Sequence, residues 1–449
     1  MSPLQPVDRL LGVRPSRRPS LTVASLAALA ASLLLGLVGH ATGDARLGVL
    51  ADALKPIGDL WIAALQMTVF PLVIAYTLAA IVGVGREGAV AALAGRAVLL
   101  FLAMLAAAGL LTIALAPPLV ALFPVDQALI AALKAATSIP EAARQTASAG
   151  HGSLADWIAG LLPRNLFEAA VRGNILPTLL FTVLFGIAVT RLPEKQRDPL
   201  SRTFQALAAA MLVCVRWILV FTPIGVFVFT FRFALGTGGE AVGVLGAWVV
   251  IVSGLLLLCT VLLYPASAFL GRITVRSFAR GVAPAQLVAV STRSSIASLP
   301  ALVEGARERL KLPDTAAAFV LPLSVSLFKL NPPISSTAKL IFLAHVYGIP
   351  LTTATLATFL LTVMVLSFST VGLPSGGTTF RTLPAYLAAG LPIEGVVILE
   401  AVETIPDIFK TLLNVTADMS AATLLSRSSR GTRPEGAATD EARPVGGTV

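Results

Sequence analysis

Six polar residues, five of them ionisable, stand in the last apolar stretch of the chain, about 393–424: Glu400, Glu403, Asp407, Lys410, Asn414 and Asp418. Their spacings of 3, 4, 3, 4 and 4 keep all six on one stripe of a 3.6-residue helix. An ionisable group at the centre of a membrane helix costs at least ~2.5–3.5 kcal/mol, so such a stripe must face protein or water. A surface amphipathic helix would favour Lys, Arg and interfacial aromatics, whereas this stripe is mostly acidic. A ladder of ion pairs with a purely structural role is the bland alternative; ionisable groups at membrane depth are functional by default. Two further cations, Arg293 and Lys329, lie in apolar surroundings and need counter-ions, for which the acids of the stripe are the expected partners. Lys339 is expected instead to snorkel to an interface.

The elements that position these groups are unusual after Arg280, where each apolar segment is interrupted. The first interruption runs from Ser291 through Thr292, Arg293, Ser294, Ser295 and Ile296 to Ala297-Ser298-Leu299-Pro300. The second is Asn331-Pro332-Pro333, where two prolines remove two backbone donors and must break a helix. The third is Gly372-Leu373-Pro374-Ser375-Gly376-Gly377-Thr378, between two half-length apolar arms. Non-helical backbone at membrane depth is tolerated only where it is buried in protein or lines a cavity, so three such breaks imply a cavity. Half-helix ends there present N–H groups to anions and carbonyls to cations, as in secondary transporters.

Composition settles the wider class. Of 449 residues, 56% are hydrophobic and 12% charged, about half the charged share of a soluble globular chain. Runs such as 21–39, 98–123 and 245–263 read as membrane spans. Six spans are expected before the interrupted region, at about 21–39, 57–83, 91–122, 175–190, 204–231 and 241–269. The first is kept as a helix rather than a cleaved signal, because its apolar run exceeds a usual signal core. The net charge of +10 is concentrated in alternate short loops, which is a topology signal and not a nucleic-acid footprint. It places both termini in the cytoplasm. Cys214 and Cys259 lie inside apolar runs and read as packing residues.

With these features in place, the chain resembles the dicarboxylate/amino acid:cation symporters, the glutamate-transporter family, over nearly its whole length. Thr292-Arg293-Ser294-Ser295-Ile296-Ala297-Ser298-Leu299-Pro300 is similar to that family's serine-rich first hairpin tip, and Gly372-Leu373-Pro374-Ser375-Gly376-Gly377 to its glycine-rich second tip. Asp407, Lys410, Thr411, Asn414, Val415 and Asp418 match the pattern of its eighth helix. Weaker echoes stand at Lys55-Pro56-Ile57-Gly58-Asp59, Asn174-Ile175-Leu176-Pro177-Thr178 and Pro223-Ile224-Gly225-Val226-Phe227.

The resemblance implies an all-α integral membrane protein with eight transmembrane helices and two re-entrant hairpins, assembled as a homotrimer and working by an elevator mechanism. It divides the chain into a cytoplasmic N-terminal segment at 1–20 and helices 1–6 at 21–269, mostly scaffold, with helices 3 and 6 joining the moving part. A transport core follows at 281–424, and then a disordered cytoplasmic tail at 425–449. The implied location is the bacterial inner membrane, and the implied partners are lipid and a small-molecule substrate. By position, Asp407 takes a substrate amino group and Asn414 and Thr411 the main carboxylate. Arg293, Ser294 and Ser295 line the site from the first tip, and Gly372, Pro374, Ser375 and Gly376 from the second. Asp418 is a cation ligand, and Glu403 pairs with Arg293.

Two departures bear on chemistry. Sodium-coupled members carry Asn-Met-Asp-Gly-Thr in helix seven, where this chain has Phe328-Lys329-Leu330-Asn331-Pro332. Phenylalanine and leucine supply no side-chain oxygen, which argues against sodium through that motif. The expectation is that Lys329, with Asn331 and Asp418, forms the cation-coupling group: a tethered ammonium replaces the metal ion, and a proton is the candidate coupling ion. Lys410 stands where acidic-substrate members have arginine, keeping the charge without the bidentate fork. The expected function is a symporter for an acidic or small polar amino acid or a dicarboxylate. An anion leak pathway and a non-transporting sensor are the alternatives on this scaffold. Nothing points to an enzyme, a metal centre or a cofactor: His40, His151 and His345 are not grouped at ligand spacing.

Overall fold

The computed structural model describes residues 21–82, 88–125, 130, 162–171, 175–313, 316–367 and 378–430. Among these the regular structure is helical throughout, with no strand. Among the described residues seven helices make the first part: α1 (Leu21–Thr42), α2 (Ala45–Val82), α3 (Gly88–Ala121), the short α4 (Leu166–Val171), α5 (Ile175–Thr190), α6 (Glu194–Leu219) and α7 (Thr222–Thr237). The long α8 (Glu240–Gly271) leads into the second part. The expected single span at 204–231 is in fact two helices. Pro223 has no N–H, and its ring excludes the carbonyl of Leu219, which is where α6 ends. The carbonyl of Ile218, left near that end, accepts from the indole of Trp61 at 3.1 Å. Trp61 fits because residue 225 is glycine: a Cβ there would sit 2.3 Å from the ring.

The second part contains the interruptions. Helix α9 (Val275–Thr292) ends with Arg293 in the left-handed region at φ 53°, its N–H held by the Ala289 carbonyl at 2.8 Å. The chain turns through the serines and returns as α10 (Leu299–Glu304) and a wider π-helical turn (Gly305–Arg309). The two arms approach so closely that a Cβ on Gly305 would fall 2.0 Å from the Gly281 carbonyl oxygen. A second π-helical turn (Ala316–Val320) and α11 (Leu321–Leu327) precede three non-helical residues, Phe328, Lys329 and Leu330. Asn331-Pro332-Pro333 then opens α12 (Asn331–Val346); proline is tolerated in a first turn, where the missing donors would be unpaired anyway. Arms α13 (Thr353–Ser367) and α14 (Thr378–Ala388) flank the glycine-rich tip, whose residues 368–377 lie outside the described residues.

The final span is also two helices, α15 (Ile393–Ala401) and α16 (Thr404–Arg430). Pro406 has the same relation to the Val402 carbonyl as Pro223 has to Leu219. The stripe expected on one continuous helix therefore crosses a junction, with Glu400 before it and Asp407 after it. Helix α16 packs against α8, α9 and α11, and α12 packs against α3 and α8, so the ionic residues lie at the centre of the second part. Side-chain bonds tie these helices together: Ser267 to Ser420 at 2.7 Å, and Tyr264 through Gln286 to Thr416 at 2.9 and 2.8 Å. Among the described residues, five helical segments are long and apolar enough to cross a membrane: 23–42, 95–121, 194–219, 240–271 and 316–346.

Candidate functional site

The helix breaks deliver their side chains to one place. In the first tip the Ser294 hydroxyl accepts from the Ala297 N–H at 3.2 Å, and Ser298 donates back to the Ser294 carbonyl at 3.0 Å, which fixes the turn. Ser295 is left to face the second break, where it accepts from Lys329 Nζ at 2.8 Å. Lys329 also donates to the Val325 carbonyl at 2.7 Å, one of the acceptors freed where α11 ends. The second break is joined to α16 by Asn414, whose Oδ1 accepts the Asn331 N–H at 3.1 Å. That bond satisfies a donor at the start of α12, where the helix dipole is positive. It leaves the Asn414 amide nitrogen available to an anion.

Below this lies Asp418, fully buried, with Oδ1 accepting from the Ser324 hydroxyl. Its Oδ2 has no hydrogen-bond partner among the described residues, and Lys329 is the cation whose field reaches it. Asp407 Oδ2 is likewise buried without a partner among the described residues, while Lys410 and Arg293 act on it electrostatically. Thr411 donates to the Asp407 carbonyl one turn back at 2.9 Å, which leaves its oxygen able to accept. Asp407 Oδ2 is thus a buried acceptor that the described residues leave without a hydrogen bond. No group of three or more His, Cys, Asp or Glu stands at metal-holding spacing among the described residues.

A second ionic group adjoins the first. Lys339 Nζ lies 3.0 Å from Glu400 and 2.8 Å from Glu403, and Lys410 donates to the other oxygen of Glu403. The Lys339 ammonium also stands 5.6 Å from the centre of the Trp248 ring, within cation–π range.

Two expectations are corrected here. Glu403 does not pair with Arg293, because it is taken by two lysines, while Arg293 acts electrostatically on Asp407. Lys339 does not snorkel; it is 1% exposed and anchors the tetrad. Gly372, Pro374, Ser375 and Gly376 fall outside the described residues, while Arg293, Ser294, Ser295, Lys329, Asn331, Asp407, Lys410, Thr411, Asn414 and Asp418 are all described. Sequence reasoning missed Lys339 and Ser324 as parts of the polar centre, and it placed Glu400 on the stripe without its partner Lys339. The available signal was that a lysine in the middle of a 31-residue apolar stretch requires an acid, and Glu400 was at hand.

The comparison with known proteins gives the arrangement its context. The model of the sodium:dicarboxylate symporter family matches residues 21–428, which includes every element described above apart from the last residues of α16. The chain belongs to that family. Its members are transporters rather than enzymes, and this member is a multi-pass membrane protein with the family's helical fold. Three curated relatives match along most of their length. The chain is 28% identical over 405 residues to a proton/glutamate-aspartate symporter of Escherichia coli (strain K12), covering 90% of this chain and 91% of that one. It is 28% identical over 380 residues to a proton/sodium-glutamate symport protein of Geobacillus stearothermophilus, with 84% and 88% covered. A C4-dicarboxylate transport protein of Geobacter sp. (strain M21) is 26% identical over 383 residues, with 84% of each chain covered.

Proposed function

We propose that this family member is a secondary active symporter that carries an acidic or small polar amino acid, or a dicarboxylate, by an elevator movement. The observation that carries the reading is the joining of Ser295 to Lys329 and of Asn331 to Asn414 at two helix breaks, with an Asp407 oxygen buried and without a hydrogen bond among the described residues. The substrate's main carboxylate is taken by Asn414 and Thr411, its ammonium by Asp407 and a second carboxylate by Lys410. The names of the Escherichia coli and Geobacter relatives support this range of solutes.

Coupling runs without a metal ion at the second break. The Lys329 ammonium acts electrostatically on Asp418, where Phe328 and Leu330 offer no side-chain oxygen. The ammonium stands in for a sodium ion, and a proton drives uptake. Residues 281–424, with α3 and α8, move as the transport core against a homotrimeric scaffold in the bacterial inner membrane, both termini in the cytoplasm. Solute counterflow in proteoliposomes tests the carrier reading: vesicles loaded with unlabelled aspartate, glutamate or succinate accumulate the labelled solute transiently and saturably. Unsaturable, voltage-following flux of the same solutes would refute it.

A further inference from the structure

Two lysines and two glutamates give the tetrad of Lys339, Glu400, Glu403 and Lys410 no net charge. It is nearly sealed from water, with side-chain exposures of 2% for Lys339, 9% for Glu400, 8% for Glu403 and 11% for Lys410. If Lys410 receives the second carboxylate of an acidic substrate, a third anion joins two cations in a place where unbalanced charge is costly. A zwitterionic neutral amino acid brings no such excess. The imbalance is removed when one glutamate binds a proton.

The contacts single out which one. Glu403 is held from both sides, by Lys339 and by Lys410, whereas Glu400 contacts Lys339 alone among the described residues. A substrate carboxylate on Lys410 loosens Glu403 from that lysine and shifts it toward Lys339. Lys339 then faces two full carboxylates, and the less firmly held Glu400 becomes the acceptor. We propose that the Glu400–Glu403 pair, bridged by Lys339, takes up the proton that accompanies an acidic substrate, with Glu400 binding it. This rests on the reading that such a substrate engages Lys410.

Among the described residues, the charged and titratable groups that act on the pair come from three helices. Lys410 and Asp407 face the pair from α16, Lys339 from α12, and Tyr386 from α14, where its hydroxyl donates to the Ser336 carbonyl at 3.2 Å. Arg293 acts on Asp407 from the first tip. Asp418 belongs with Lys329 and Ser324, apart from the tetrad.

Calorimetry in buffers of different ionisation enthalpy counts the protons taken up on binding. Wild-type protein is expected to take up about one proton with L-aspartate and close to none with L-serine. Glu400→Gln is expected to bind aspartate with close to no proton uptake and with an affinity that no longer depends on pH, whereas Asp418→Asn retains the uptake. Aspartate binding to wild type without proton uptake overturns the inference, as does uptake that persists in both Glu400→Gln and Glu403→Gln or disappears only in Asp418→Asn. The wild-type comparison of aspartate with serine stands even if a variant fails to fold. Wild-type protein that binds none of aspartate, glutamate and succinate would instead refute the underlying choice of substrate.

Discussion

Replacing Lys339 by methionine keeps the length and most of the volume of the side chain and removes only its ammonium. In the wild-type protein that ammonium lies within 3.0 Å of two carboxylates and over the Trp248 ring, at 1% exposure. Lys339→Met leaves Glu400 and Glu403 to share Lys410, so one buried carboxylate has no counter-charge. Breaking a buried pair by removing one partner costs about 3–5 kcal/mol, and the shielding from water here places the expected loss in that range. The double variant Lys339→Met with Glu400→Gln removes one charge of each sign and leaves Glu403 paired with Lys410. It is therefore expected to return to within ~1–2 kcal/mol of wild type. Unfolding of the purified protein in mixed micelles, followed as the denaturing detergent fraction rises, measures all three. A single variant as stable as wild type, or a double variant no better than the single one, would refute the reasoning that the tetrad is a charge-balanced unit.

The remaining contacts give further expectations. Ser324→Ala removes the one hydroxyl that hydrogen-bonds Asp418 among the described residues, and is expected to cost about 1–3 kcal/mol in the same unfolding assay, with Ser324→Thr largely restoring stability. Gly305→Ala pushes a methyl group to 2.0 Å from the Gly281 carbonyl, so the hairpin arms must separate; a stability loss of ~1–3 kcal/mol or more and loss of transport are expected. Lys329→Ala keeps the fold by its melting profile but lowers counterflow at least ~10-fold, since both the Ser295 contact and the charge beside Asp418 are lost. Lys329→Arg, with its charge on a planar fork, restores only part of that flux.

What the sequence disclosed follows from which forces are local. Asn331-Pro332-Pro333 announces its break because the missing donors are written in the residues themselves, and the serine-rich turn is similarly explicit. Pro223 and Pro406 break their helices as well, yet Pro71, Pro265 and Pro284 sit inside continuous ones. Whether a proline ends a helix depends on packing that no short window contains. The partners of the charges were harder still. The need of Arg293 and Lys329 for company was plain from the cost of a bare cation, but the assignment of partners was not, and Lys339 was expected at an interface. Glu403 went to two lysines from different helices instead of Arg293, because α12 and α16 pack side by side. Charge counting foretells that a buried cluster exists; only the packing says who belongs to it.

Uptake into proteoliposomes prepared without sodium tests most directly whether a lysine ammonium occupies the role of a metal ion at the second break. With an inward proton gradient and labelled aspartate, glutamate or succinate, the expected result is accumulation above equilibrium that added sodium leaves unchanged and that collapse of the gradient abolishes. Accumulation that appears only when sodium is supplied would contradict it.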